Sequence, residues 1–345
     1  VLALMSAATS ARAQDDGGGA PGGAPDRGTI TKVGTTAAQF LKLGVGARAI
    51  ALGGSFVAEA SDLSALYWNP AGLAGLRGSA LQFSHTEYLA NIDYNFAAFG
   101  TNLGAFGTLA FSLLFLDSGN MDVRTEQRPE GTGEQFKVQD FALQVSYGRA
   151  LTDRFSIGGS LKYIQESIWH SKASTIAFDI GTLFTTPYER LRLGASMSNF
   201  GPKMRMDGRD ILFSEDPNPN NEGTVEIVNA QFRMDQHSLP LLFRVGLAWD
   251  AYHTADHRLM ISTDAAHPND NSEYLNAGAE YSFRGLLSLR AGYRNLFEKD
   301  GEQGLTFGAG LNLRLDRSLR TRLDYAYADF GRLTQTHWFT MDLAF

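Results

Sequence analysis

From about residue 78 to the last residue, apolar and polar side chains alternate in runs of about ten, separated by short polar or glycine-bearing links. Successive side chains of a β-strand point to opposite faces, so each run predicts a strand with one apolar and one polar or small face. The runs lie near 79–85, 92–99, 105–115, 137–148, 155–166, 174–184 and 191–199. A second set lies near 241–250, 258–265, 274–283, 287–294, 305–314, 320–328 and 336–345. In one run Phe155, Ile157, Leu161 and Tyr163 oppose Ser156, Gly158, Ser160 and Lys162. In another Leu305, Phe307, Ala309, Leu311 and Leu313 oppose Thr306, Gly308, Gly310, Asn312 and Arg314.

About fourteen strands is an even number, as a single-chain bacterial barrel with both ends on one side requires. Tight links at Asn102–Gly104, Thr152–Arg154, Pro187–Glu189, Arg284–Gly285 and Asp316–Arg317 alternate with longer ones. The longer links include Asp117–Gln135, Gly201–Pro240, Asn295–Gly304 and Asp329–Gln335. A soluble sandwich has no reason to sort its loops by parity, whereas an outer-membrane barrel has short periplasmic turns and long external loops. No apolar run of about eighteen residues exists, which argues against a membrane helix. A barrel needs none, because its backbone groups pair between strands. The predicted fold is an all-β, about fourteen-stranded antiparallel barrel in the outer membrane of a diderm bacterium, with membrane lipids around its wall. On the last strand Phe339, Met341, Leu343 and Phe345 share one face and Thr340, Asp342 and Ala344 the other. A terminal aromatic there resembles the signal read by the outer-membrane barrel assembly machinery.

The first residues, Val1–Met5 running into Ala11–Arg12–Ala13, read as the remainder of a secretory signal peptide cut after Ala13. Residues 14–35, rich in Gly, Pro and Ala, predict a disordered leader. Residues 36–77 carry small apolar residues and helical stretches and are expected to form an N-terminal plug, leaving 78–345 for the barrel. Thirty-seven glycines beside 23 Phe and 12 Tyr suit strands of which one face must be small or polar. The absence of cysteine excludes disulfides and thiolate metal sites. The 30 basic residues are scattered and the net charge is -7, so no nucleic-acid-binding face is expected.

Candidate chemistry is sparse. His253 and His257 fall in a turn and not on one helix face, a poor metal arrangement. Gly44-Val45-Gly46 superficially resembles a dinucleotide loop but follows no strand and opens no βαβ unit. No Gly-x-Ser-x-Gly elbow is paired with a plausible histidine. Asp216–Glu222 lacks calcium-loop spacing and reads as a solvated turn. The expectation is a protein that is not an enzyme and holds no cofactor or metal. By phase Lys162, Asp179, Arg192, Arg244, Asp250, Glu280, Arg290, Arg294, Arg314, Arg322 and Asp324 point inward, which implies a wet lumen or one braced by ion pairs. The glycines of Gly104–Thr108 are a candidate kink in the third strand.

The segment Phe40–Leu76 holds the most specific pattern. Gly44, Gly46, Gly53 and Gly54 permit close backbone approach, Ser61 or Asp62 is placed to cap a helix, and Asn69-Pro70 ends it. Gly46-Ala47-Arg48, Gly53-Gly54-Ser55-Phe56-Val57-Ala58 and Ala65-Leu66-Tyr67-Trp68-Asn69-Pro70-Ala71-Gly72-Leu73 together resemble the PorV/PorQ family of outer-membrane barrels. The Asn-Pro-Ala portion is also similar to the FadL family of hydrophobic-compound transporters. The resemblance implies a fourteen-strand barrel with an N-terminal hatch. PorV-like relatives imply a type IX secretion component that shuttles secreted cargo or, in the PorQ-like case, anchors a sortase-like partner. FadL-like relatives imply instead a transporter of fatty acids or other hydrophobic small molecules. The plug motif Gly46, Arg48, Gly53, Gly54, Tyr67, Trp68, Asn69, Pro70 and Gly72 carries over as structural, and no catalytic residue carries over.

Overall fold

The computed structural model describes residues 33–188, 190–216, 227–298, 301–316 and 318–345. The expected signal peptide, nearly all of the leader and most of the Asp216–Glu222 turn lie outside the described residues. Each predicted run falls on one strand. They are β1 (Ser79–Glu87), β2 (Asp93–Asn102), β3 (Thr108–Asp117), β4 (Val138–Ala150), β5 (Phe155–Ile168), β6 (Ser171–Thr185) and β7 (Leu191–Phe200). The second set is β8 (Leu242–His253), β9 (His257–Pro268), β10 (Tyr274–Phe283), β11 (Leu287–Leu296), β12 (Leu305–Arg314), β13 (Arg320–Asp329) and β14 (Gln335–Ala344).

Each strand pairs antiparallel with its chain neighbours, and β1 pairs with β14 from Ala80↔Ala344 to Glu87↔His337, so the fourteen strands close into a barrel. The seam is tied at its end by two backbone bonds, Ser79 N–H to Phe345 O at 2.8 Å and Phe345 N–H to Ser79 O at 2.9 Å. Closure leaves no unpaired edge, the condition for a sheet to cross hydrocarbon. Outward side chains such as Phe83, Phe111, Leu143, Leu161, Phe243 and Phe339 remain exposed in the isolated chain and form the lipid-facing belt. Among the described residues no helix is long and apolar enough to cross a membrane.

Two expectations about the wall need correction. Gly104–Phe106 forms a turn of 3-10 helix before β3, with Gly104 at φ 63° and Gly107 at φ 87°. Both angles lie where side chains with a Cβ are disfavoured, so these glycines reverse the chain and do not bend the wall. β3 itself keeps an unbroken ladder to β2 and to β4. The ladder shifts register elsewhere, between β6 and β7 near Phe178, between β8 and β9 at Asp250/Tyr252, and between β10 and β11 near Leu275. Loop parity is also imperfect, because Trp169-His170 alone joins β5 to β6 at the long-loop end. The two longest external links are themselves folded. Met121–Asp122 pairs with Gln135–Phe136, and Leu212–Glu215 pairs with Val228–Gln231.

Residues Thr36 to Leu76 fill the lumen. Ala37 N–H bonds Ser238 O at 3.0 Å and Ala38 N–H bonds Glu166 Oε1 at 2.8 Å, under the long loops. The chain then passes through a short 3-10 turn (Gln39–Lys42), helix α1 (Ala47–Ala51), helix α2 (Ala65–Trp68) and a second 3-10 turn (Pro70–Gly75). It reaches the short-turn end at Gly78 and turns there into β1.

Candidate functional site in the lumen

The segment inside the barrel is fixed by side chains reaching its own backbone. Trp68 Nε1 donates to Val45 O at 2.8 Å and Tyr67 Oη to Leu41 O at 2.8 Å, which ties α2 to the entering strand of chain. Asn69 is extended, φ -163° and ψ 103°, as a residue before proline must be, and Pro70 opens the 3-10 turn. Its Nδ2 donates to Val57 O and to Thr182 O of β6, both at 2.9 Å, while Oδ1 accepts from Ala71 N–H at 3.1 Å. One amide therefore joins two stretches of the inner segment to the wall. Asp62 accepts from Ser64 N–H at 3.0 Å in the turn before α2, but the N-cap of that helix is Ser64, with no side-chain cap bond, so neither Ser61 nor Asp62 caps it as expected.

The glycines of the motif sit where backbones touch. Gly46 leads into α1 at φ 84°. A Cβ on Gly53 would lie 2.6 Å from Tyr293 O, one on Gly54 3.2 Å from Trp68, and one on Gly72 2.0 Å from Ala60 O. The wall answers with glycines of its own, which the sequence reading had assigned only to a small-residue face. A Cβ at Gly158 would lie 2.3 Å from Pro70, at Gly181 2.0 Å from Asn69 and at Gly278 2.4 Å from Leu52. Their inward phase was legible from sequence. Their mates were not.

At the short-turn end a charge network joins the inner segment to the wall. Arg48 Nη2 lies 2.6 Å from Glu59 and Nε 2.9 Å from Glu280 of β10. Glu59 also meets Arg192 at 2.5 Å and Arg258 at 3.4 Å. Arg290 joins Glu280 and Asp324, both at 2.6 Å, and Arg322 joins Asp62 at 2.6 Å and Asp342 at 2.7 Å. Burial works against the Arg48 charge, but Glu280 and Glu59 hold its pKa well above the ordinary guanidinium value. Burial likewise pushes the Asp62 carboxyl up, yet Arg322 and Arg48 outweigh it and hold the group below its ordinary value. A polar cavity of about 560 Å³ opens here, lined by Arg48, Glu59, Arg192, Arg258, Glu280 and Arg322. Lys162 and Asp179 form a separate buried pair at 2.6 Å.

Of the eleven side chains expected to point inward, eight are ion-paired as a braced lumen requires. Arg314 stays exposed at the end of β12, and Arg244 and Arg294 have no carboxylate partner among the described residues. Arg244 instead lies over the rings of Tyr67 and Trp68, 5.5 and 5.0 Å from their centroids. Among the residues missed from sequence are Glu59, the hub of the ionic network, and Asp264, whose Oδ2 accepts from Phe56 and Val57 N–H at 2.8 and 2.9 Å. Neither belongs to a motif or shows its role through spacing. On β14 Phe339 and Met341 face outward and Leu343 is half-buried in the same phase, while Phe345, one residue past the strand, is exposed. No cluster of metal-ligating side chains occurs among the described residues.

Residues 27–221, more than half of the chain, match the family model described as type IX secretion system protein PorV. The chain belongs to the PorV family. Compared by sequence with curated proteins, it matches none. Solved structures place this PorV-family member among FadL-like outer-membrane barrels. A CymD monoaromatic hydrocarbon channel is 10% identical with a TM-score of 0.54, over 88% of this chain and 98% of that one. The Pseudomonas putida toluene transporter TodX is 13% identical, TM-score 0.54, over 87% and 96%. A Pseudomonas aeruginosa FadL homologue is 12% identical, TM-score 0.51, over 85% and 96%. At such identities the likeness is one of fold, a FadL-like barrel, and the location of this PorV-family chain in a Gram-negative outer membrane rests on the family match together with that fold.

Proposed function

We propose that this PorV-family barrel is a non-enzymatic component of type IX secretion that binds secreted protein partners at the cell surface, to shuttle or to anchor them, while residues 36–77 act as its plug. The observation that carries the binding role is the external hairpin Leu212–Glu215/Val228–Gln231. Its Leu212, Ile227 and Phe232 are 55, 68 and 61% exposed although they lie beyond the wall, and Phe213 packs on Phe232 with centroids 4.7 Å apart. Large apolar side chains concentrated on a loop that faces water mark a docking surface. The alternative, a transporter of hydrophobic compounds, needs an apolar path through the barrel. The apolar hollows of about 700, 610 and 410 Å³ are lined mainly by outward side chains such as Phe83, Leu113, Leu161 and Phe243, whereas the cavity at the short-turn end of the lumen is lined by charge.

The test is crosslinking in native outer membranes followed by mass spectrometry, comparing the parent with Ile227→Glu/Phe232→Glu. The reading expects a stoichiometric secreted polypeptide bearing a C-terminal sandwich domain, or a sortase-like protein, on the parent and at least tenfold less on the variant. Equal capture by both, or hydrophobic small molecules with no polypeptide, sinks it.

A further inference from the structure

The two ends of the barrel differ in charge. At the long-loop end the hairpin of residues 121–136 mixes Arg124 and Arg128 with Asp122, Glu126, Glu130 and Glu134. At the other rim three successive short turns, residues 103–107, 151–154 and 186–190, are bordered by Arg149, Arg154 and Arg190. Arg149 lies near the end of β4 in the outward phase, opposite Ile157 of β5, and its Cβ is 3.1 Å from where a Cβ on Gly107 would stand. Arg154 O accepts from Thr185 N–H at 2.8 Å, which sets its turn against the next one. All three arginines are exposed and have no carboxylate partner among the described residues. Another short turn shows the contrast, since its Arg284 pairs with Asp256 at 3.0 Å. Against the three cations the described residues of these turns set one acid, Asp153. Apolar side chains share the turns with the charges. Phe106 is 77% and Tyr188 78% exposed, and Leu103 and Leu151 are exposed as well. The Tyr147 hydroxyl, outward on β4, donates to Phe106 O at 2.6 Å and holds the first turn against the wall.

We infer that these three turns form a headgroup site for an anionic phospholipid of the inner leaflet, with Arg149, Arg154 and Arg190 around the phosphate and the acyl chains on the outward belt. Short turns of an outer-membrane barrel meet the leaflet that faces the periplasm. A phosphodiester presents the oxygens that a guanidinium fork matches, and unpaired arginines at an interface gain from a negative charge that their neighbours do not supply. A zwitterionic lipid brings an ammonium of its own and leaves less for three arginines to neutralise. The apolar side chains select a lipid over a soluble polyanion. Beside an acidic protein Phe106, Leu151 and Tyr188 would stay in water, whereas beside a lipid they enter the interfacial zone where aromatic rings settle. Ile157, opposite Arg149, opens the outward apolar face of β5 that continues through Leu161, so the charged rim and the lipid belt are one surface. The site lies at the far end from the docking hairpin and does not depend on what binds there.

Native mass spectrometry of the full chain decides it, after incubation in mild detergent with equimolar phosphatidylglycerol and phosphatidylethanolamine of the same acyl chains. Phosphatidylglycerol should be retained at least fivefold over phosphatidylethanolamine. Arg149→Gln/Arg154→Gln/Arg190→Gln should bring the two lipids to parity, and Arg149→Gln alone should lower the ratio at least twofold. Arg124→Gln/Arg128→Gln in the long-loop hairpin should leave the ratio as in the parent. Without lipid every variant should melt with the parent, because exposed, unpaired arginines brace nothing. Equal retention of the two lipids by the parent, a ratio that the triple substitution leaves unchanged, or one that falls as far with the long-loop pair would each overturn the site. A triple variant that melts lower without lipid would overturn it too, by making the arginines structural. So would a decaglutamate peptide that displaces phosphatidylglycerol at equal concentration, in favour of an acidic soluble partner.

Discussion

Arg48 shows how much a single side chain can hold. Its guanidinium joins Glu59 of the inner segment to Glu280 of the wall, and Phe56 packs beneath it with the ring centroid 5.3 Å away. Arg48→Met removes one counter-charge from a buried network in which Glu59 keeps Arg192 and Glu280 keeps Arg290, so the cost falls below about 3–5 kcal/mol, that of a broken isolated pair. Urea unfolding in detergent should show the midpoint falling accordingly, while Arg314→Met at the exposed strand end leaves it unmoved. Asp270 holds the other end of the segment. It accepts from Thr36 Oγ1 at 2.7 Å and pairs with Lys42 at 3.0 Å. Burial raises its pKa, but Thr36, Lys42 and Gln39 together hold it below the ordinary carboxylate value. A lowered pKa means the contact is intact at neutral pH and is lost as acid protonates the folded state. Amide exchange across residues 36–43 should therefore rise steeply only below the usual carboxylate range, and Asp270→Asn should abolish that dependence. Arg48 stood out in the sequence because it sits in a motif. Asp270 did not, since a lone aspartate in a short loop looks like any other turn residue.

Among the elements, strands were the most legible. Lipid on one side and a small or polar lumen on the other impose the two-residue period with little noise, so β12 is visible from residues 305–314 alone. The inner helices were legible only as a class, because α1 and α2 are four or five residues long and owe their form to burial, not propensity. The kink expected at Gly104–Thr108 failed because a glycine pair serves equally for a turn. Two of the three register shifts arise instead where Asn199 and Asn295 adopt φ 64° and 54°, with Asp179 Oδ1 and Asn276 Oδ1 accepting their N–H groups. Fit between elements is testable at Gly158. A leucine there would overlap Pro70, so Gly158→Leu should fold as a barrel yet displace the Pro70–Gly75 turn. Planar-bilayer conductance should rise from a closed baseline, whereas Gly285→Leu, in an exposed turn with nothing near its Cβ, should leave it closed. At the seam, Phe345→Ala should slow the appearance of the heat-modifiable folded form in vivo without lowering its final stability.

For the whole molecule, the arrangement of a closed wall around a filled lumen fixes an order of events. The inner segment runs from Thr36 under the long loops to Gly78 at the opposite rim, where it becomes the first strand of the same wall that surrounds it. Once β1 and β14 have paired, only lengthwise threading would bring that segment into place. Assembly without threading therefore brings α1, α2 and the Pro70–Gly75 turn inside while the seam is still parted. Closure of the ring is in this sense an act of capture, enclosing whatever has already entered.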